Sequence, residues 1–242
     1  MNWFSVPDIF WLAALFSLIA IALLFVAVPT PSSTSFHQET EPNLNQLSSV
    51  IFQPLLPYLY ISVFFLHIIF TATFVVVPIS LEKLAGLTSH QQWKLYLPVM
   101  ILAFLFSIPM IIHAEKKHLL KHYFIMAIFF FGIAEFFWWW DAKNLFLSAL
   151  SLLLFLTAFS LLEAFLPSLI SKSAPPSKKG TALGIYSCSQ FLGIFVGGAL
   201  GGWLYGAWSL NTVYLFCVII AVIWVSMLIK MKSGDIHYGQ RR

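Results

Sequence analysis

Residues Lys178 to Trp208 read KKGTALGIYSCSQFLGIFVGGALGGWLYGAW and hold eight of the twelve glycines of the chain: Gly180, Gly184, Gly193, Gly197, Gly198, Gly201, Gly202 and Gly206. Past the two lysines the run is uncharged and long enough to cross a bilayer as a helix. Gly193, Gly197 and Gly201 step by four residues, as do Gly198, Gly202 and Gly206, so each set stacks along a helix side and lets another backbone approach closely. A helix facing only lipid has no need of this. Tyr186 and Gln190 fall on the same side, so a polar stripe runs into the small-residue stripe. The stretch predicts a membrane helix that packs through its glycines, Gly193, Gly197, Gly198, Gly201 and Gly202 foremost, and presents polar groups beside them.

Composition agrees. The chain is 60% hydrophobic and 9% charged, with a mean hydropathy of +0.88, whereas soluble domains carry about 25% charged residues. In hydrocarbon, backbone amides must be satisfied within the protein, which leaves helices or a closed barrel. Barrel strands alternate polar and apolar residues, whereas the runs here are continuously apolar for about twenty residues. The expected fold is all-α, a polytopic membrane protein with seven transmembrane helices.

The first span is read as Ile9 to Val28. Asp8 and the absence of Lys or Arg before it argue for a retained helix over a signal peptide, which needs a positive leader and a shorter apolar core. A polar linker follows, with His37, Glu39 and Glu41. Leu44, Leu47, Val50 and Ile51 have helical spacing there, but without Lys or Arg to hold a helix on anionic lipid the linker is read as a plain connector. Further spans are expected at Pro57 to Pro78, Leu95 to Ile112, Tyr123 to Trp140, Leu145 to Pro167, the glycine-rich stretch, and from the turn at Ser209 to Asn211 up to Ile229. The turn Asp141 to Asn144 admits only an antiparallel helical hairpin. This divides the chain into a first helix (1–28), a linker (29–56), a six-helix body (57–229) and a basic tail (230–242).

Ten of the thirteen Lys and Arg lie in alternate segments (Lys116, Lys117, Lys121; Lys172, Lys178, Lys179; Lys230, Lys232, Arg241, Arg242), against Lys83, Lys94 and Lys143 opposite. By the positive-inside bias the C-terminus is expected in the cytoplasm and the N-terminus outside. The net charge of +4 reflects this topology and gives no reason to expect a nucleic-acid partner. Cys188 and Cys217 sit at different depths of neighbouring spans and imply neither a disulfide nor a metal site.

His67 lies near mid-membrane, where an ionisable group is a functional candidate by default, and Thr71 shares its face. A neutral imidazole bonded to a neighbouring helix is an equal reading. Glu135, next to the cluster Phe136-Phe137-Trp138-Trp139-Trp140 and one turn before its first tryptophan, is read as a carboxylate snorkelling to the interface, since Trp clusters prefer the headgroup level.

Several stretches resemble the major facilitator superfamily: Leu161 to Lys172 (LLEAFLPSLISK), Ala174-Pro175, Lys179 to Ser187 (KGTALGIYS) and Ser189 to Gly193 (SQFLG) look like its helices ten and eleven. Leu66-His67, Phe74 to Leu81 and Ala114-Glu115-Lys116-Lys117 are similar to helix seven and the eight-to-nine loop of its YajR-like inner-membrane branch, related to drug:proton antiporters. The resemblance implies a half bundle, with residues 1–28 as helix six and the six-helix body as helices seven to twelve of a twelve-helix transporter, lacking helices one to five. The loop motif between helices eight and nine is degenerate here: Glu115 and Lys116 stand where an acidic-basic pair is expected, but its glycines are missing. By the same resemblance His67, Thr71, Tyr186, Ser187 and Gln190 are cavity candidates for solute or proton. Glu163 is expected at the cytoplasmic mouth, latched to Lys116, Lys117 or Lys121 or to a helix N-terminus, with Glu115 in the same gate.

The expected function is transport of a small solute by a secondary transporter, proton-coupled in the full-length family, in a bacterial inner membrane. The missing half would come from a longer polypeptide or a second copy. A non-transporting remnant is the alternative. A retinal protein is disfavoured, since Leu210 to Ile229 has no lysine, and an enzyme is the weakest class, since no nucleophile-base pair, metal spacing or phosphate loop appears. No cofactor is expected.

Overall fold

A computed structural model describes residues 6–28, 44–117 and 119–229. The linker residues His37, Glu39 and Glu41 and the basic tail 230–242 lie outside the described residues, and with them the expectations they carried. The helices are α1 (Val6–Ala27), α2 (Leu44–Ile51), α3 (Leu56–Lys83), α4 (Trp93–Lys116), α5 (Leu120–Asp141), α6 (Leu145–Ser173), α7 (Lys179–Ala207) and α8 (Leu210–Ile229), with a 3-10 turn at Pro176–Lys178 and no strand among the described residues. All but α2 are long and apolar enough to cross a membrane. The protein is therefore an all-α polytopic membrane protein. By internal contacts the chain divides into Met1–Thr40, which contains α1, and Glu41–Arg242, which contains the other seven helices.

Three features depart from the sequence reading. The second half of the linker is helical over α2, with Val50 fully buried. Packing against α7 and α3, and a 2.7 Å bond from Lys178 Nζ to Ser49 Oγ, hold it where lipid charge was thought necessary. Helix α3 runs past Pro78 to Lys83 and α6 past Pro167 to Ser173. A proline removes one ladder bond, and in a bundle the surrounding packing outweighs that loss. Beyond Pro78 the chain turns through Gly86, whose φ of +72° suits glycine, and Gln92 Nε2 returns to donate to Pro78 O at 2.8 Å.

Helix α3 is the centre of the larger unit and packs on α6, α7 and α8, while α5 pairs with α6 and α8. The turn between α5 and α6 is the expected hairpin: Asn144 Oδ1 accepts from Phe146 N at 3.0 Å and Leu147 N at 3.2 Å, capping α6. The core is aromatic, and Phe155, fully buried, has ring centroids of Phe131 at 4.5 Å, Trp138 at 5.8 Å, Phe74 at 5.9 Å and Phe70 at 6.1 Å around it.

The α3–α7 contact is made by backbone. A Cβ on Gly193 would stand 2.6 Å from Phe64 O, on Gly197 2.5 Å from Ile68 O, and on Gly201 2.9 Å from Ala72 Cα. Four residues on α7 match four on α3 in the same direction, so the two helices run parallel. The neighbouring stripe does something else: a Cβ on Gly198 would make an ordinary 3.5 Å contact with Thr71, and one on Gly202 or Gly206 would meet nothing within 4 Å. Gly202, expected among the packing glycines, is exposed, because two stripes that step by four lie side by side and only one can face α3.

These contacts fix an expected contrast. Gly197→Ala forces the helices apart and destabilises the protein by about 1–3 kcal/mol. Gly202→Ala is neutral or stabilising by up to about 1 kcal/mol through helix propensity. Thermal unfolding of the purified chain in detergent distinguishes the two, and equal midpoints would contradict the assigned interface.

Candidate functional site

The parallel register that seats Gly193 against Phe64 and His67 also places Gln190, one turn earlier, opposite the His67 ring. His67 is 3% exposed. Its Nδ1 lies 2.9 Å from Val63 O, one turn back on α3, and its Nε2 lies 2.9 Å from Gln190 Nε2. A carbonyl only accepts, so Nδ1 carries the hydrogen and donates to Val63 O. Nε2 then holds the lone pair and accepts from the Gln190 amide. The imidazole is neutral in this arrangement.

Helix α6 contributes Glu163. Its Oε1 accepts from Tyr186 OH at 3.0 Å and from Gln190 Nε2 at 3.5 Å, and its Oε2 stands 3.7 Å from His67 Nε2 with no hydrogen-bond partner. Four residues from three helices thus form one polar group, in which His67 and Tyr186 are buried, Gln190 is half-buried and the Glu163 side chain is 34% exposed, with Phe159 edge-on to the imidazole at 6.1 Å. Pro167, inside α6, has no N–H for the Glu163 carbonyl four residues back, so the helical ladder is interrupted at the residue that carries the carboxyl group.

Of the residues picked out from sequence, His67, Tyr186 and Gln190 come together here, and Glu163 joins them. The structure corrects its expected partners: its bonds run to α7 and its Oε2 faces the His67 imidazole on α3, and the ion pair near the loops is instead Glu115 Oε1 to Lys172 Nζ at 3.5 Å. Glu163 sits ten residues before the end of α6, too deep for Lys116 and Lys117 at the end of α4. Lys121 belongs to the first turn of α5 and makes its own interaction. Ser187 bonds back to Leu183 O at 3.2 Å, and Thr71 lies beside Gly198, so neither enters the cluster.

Glu135 is a second correction. Its side chain does not snorkel: the residue is fully buried and Thr73 Oγ1 lies 2.5 Å from its Oε1. Depth along the chain suggested snorkelling, but the direction of the side chain decides. Glu135 shares its helix face with Phe131 and Trp138, both buried and both packed on Phe155. Trp140, by contrast, is 72% exposed. The i, i+3, i−4 relation of Glu135 to two large core aromatics was the available signal.

The cluster predicts a measurable asymmetry. Gln190→Leu leaves the buried His67 Nε2 without its donor and destabilises the fold by about 1–3 kcal/mol, whereas Tyr186→Phe removes one hydrogen bond and destabilises by about 0.5–1.5 kcal/mol. Chemical denaturation of the two variants in the same detergent checks the order.

The sequence profile of the Major Facilitator Superfamily matches residues 116–235. The inner membrane transport protein YajR of Escherichia coli is 37% identical over 225 residues, covering 93% of this chain and 49% of that protein. Uncharacterized transporters of Buchnera aphidicola are similar too: that of subspecies Schizaphis graminum is 32% identical over 91% of this chain and 56% of its own length, and that of subspecies Acyrthosiphon pisum 28% over 81% and 50%. The chain spans about half the length of these relatives. Seven membrane-length helices, a parallel glycine-packed helix pair and a matching family profile agree, and the chain belongs to the major facilitator superfamily of membrane transporters.

Proposed function

We propose that the chain is one half of a secondary transporter that moves a small solute across a bacterial inner membrane in exchange for protons, and that a second six-helix half completes the transporting unit. The observation that carries this reading is the contact of His67 Nε2 with Gln190 Nε2 at 2.9 Å and Glu163 Oε2 at 3.7 Å. With the imidazole neutral, the Gln190 amide donates to Nε2. A proton arriving on Nε2 turns an acceptor into a donor and sets it against the amide hydrogens. The conflict is relieved when Gln190 rotates to present Oε1, or when the imidazolium closes on Glu163. Either movement shifts a side chain that bridges α3, α6 and α7, and Pro167 leaves α6 a weak point at that place. Protonation is thereby linked to the relative position of three helices, which is the coupling a proton-driven transporter requires.

Helices α4 and α7 support the need for a second half. Each buries a narrow strip, Val99, Ala103, Ser107 and Ala114 in α4 and Ala182, Tyr186 and the three packing glycines in α7. Their remaining faces are open to another bundle, from a longer polypeptide or a second copy. Thr71 and Ser187, outside the cluster, are solute contacts in this reading. Glu115–Lys172 belongs to the inner gate together with Lys116, Lys117 and Lys121. An exposed pair of this kind contributes about 0–1 kcal/mol, weak enough to open in each cycle. The basic loops face the cytoplasm, with the N-terminus outside and the C-terminus inside.

Everted membrane vesicles energised by respiration test the reading. A solute drawn from a panel of small amphipathic compounds is expected to discharge the pH gradient, read by acridine orange, when the chain is present with its second half. Glu163→Gln and His67→Ala are expected to abolish the discharge. A chain that never discharges the gradient, in a native form of 27.4 kDa with no second half bound, would support the non-transporting alternative.

A further inference from the structure

The carboxyl group of Glu135 takes no part in the cluster above and meets the hydroxyl of Thr73. The Thr73 hydroxyl touches three groups: Ile69 O at 2.7 Å, Glu135 Oε1 at 2.5 Å and Cys217 Sγ at 3.8 Å. It has one hydrogen to give. Ile69 O is a carbonyl and only accepts, and an ionised carboxylate also only accepts. An ionised Glu135 would therefore leave two close oxygens competing for one hydrogen, with Oε2 unpartnered as well, at a residue with no exposure. A neutral acid removes the conflict: Glu135 donates to Thr73 Oγ1, and Thr73 donates to Ile69 O.

No counter-charge is at hand. Titratable residues on the packed elements are few: α8 brings Tyr214 and Cys217, α4 between Leu95 and Ile112 has only Tyr96, α6 between Leu145 and Leu162 has none, and α3 between Ile68 and Ser80 has none. The lysines nearest in sequence are exposed and at the ends of the elements: Lys143 lies eight residues beyond Glu135 in the turn after α5, and Lys83 ten residues beyond Thr73, about 15 Å along α3, while Lys121 on α5 lies fourteen residues back, about 21 Å along the helix. A bare carboxylate buried without a partner is unfavourable by several kcal/mol.

This site is separate from the first. Thr73 lies six residues beyond His67, about 9 Å along α3. The interval is filled by rings: Phe70 stacks on Phe159 at 4.2 Å and on Phe155 at 6.1 Å, which in turn packs on Phe131.

We propose that Glu135 is a second proton-binding site of this bundle, occupied in the described conformation, whose proton bolts α5 to α3 beside α8 through Thr73. Loss of the proton puts an uncompensated charge at a three-helix junction, so release is tied to opening of that junction to water.

Infrared spectroscopy of the chain in lipid bilayers at neutral pH tests this directly. Subtracting the Glu135→Gln spectrum from that of the wild type is expected to leave a protonated-carboxyl C=O band, and the Glu163→Gln protein is expected to keep it. A difference spectrum without that band overturns the proposal. Should Glu135→Gln fail to insert as a folded protein, Thr73→Val reads the same proton, because removing the acceptor must shift the band. A Thr73→Val protein whose protonated-carboxyl region matches the wild type overturns the proposal equally.

Discussion

The closeness of α3 and α7 is the constraint on which both the fold and the site depend. Three glycines let the backbone of α7 lie against Phe64, Ile68 and Ala72 with no side chain between. In hydrocarbon no hydrophobic force drives two apolar helices together, so dispersion between closely packed backbones must supply the attraction. That approach brings an imidazole on one helix and an amide on the other within 2.9 Å. A larger residue at any of the three positions would open the interface and leave two polar groups without each other.

Around this pair the bundle sorts its polar and aromatic residues into layers. One polar layer holds His67, Gln190, Glu163 and Tyr186. Another holds Thr73 and Glu135. Stacked phenylalanines lie between them. Low polarizability in the intervening layer strengthens each internal hydrogen bond and makes any unpaired charge expensive.

Much of the fold was legible because a membrane span must be continuous and apolar, and seven such runs could be counted with only their ends uncertain. The ends moved where proline was taken as a stop, since packing in a bundle carries a helix through Pro78 and Pro167. His67 stood out as an ionisable group in the middle of an apolar span, and periodicity put Tyr186 and Gln190 together, because spacing along one helix fixes which residues share a face. Periodicity could not pair Glu163 with them, because which faces of different helices meet is set by tertiary packing, which one-dimensional spacing does not record. The same gap explains Glu135, where nearby tryptophans suggested an interface. Trp138 is 1% exposed and stacks on Tyr214 in the interior. Two equal glycine stripes left the sequence no means of telling Gly201 from Gly202.

The four-residue repeat of Gly193, Gly197 and Gly201 meets a four-residue repeat of Phe64, Ile68 and Ala72, and two matched combs engage at more than one setting. Displacing α7 by one repeat, about 6 Å, would again seat two glycines on the α3 backbone. The glycines alone therefore specify distance but leave the axial setting degenerate. The bond between His67 and Gln190 resolves it, acting as the key that selects one tooth of the comb and so fixes the axial setting of an entire helix.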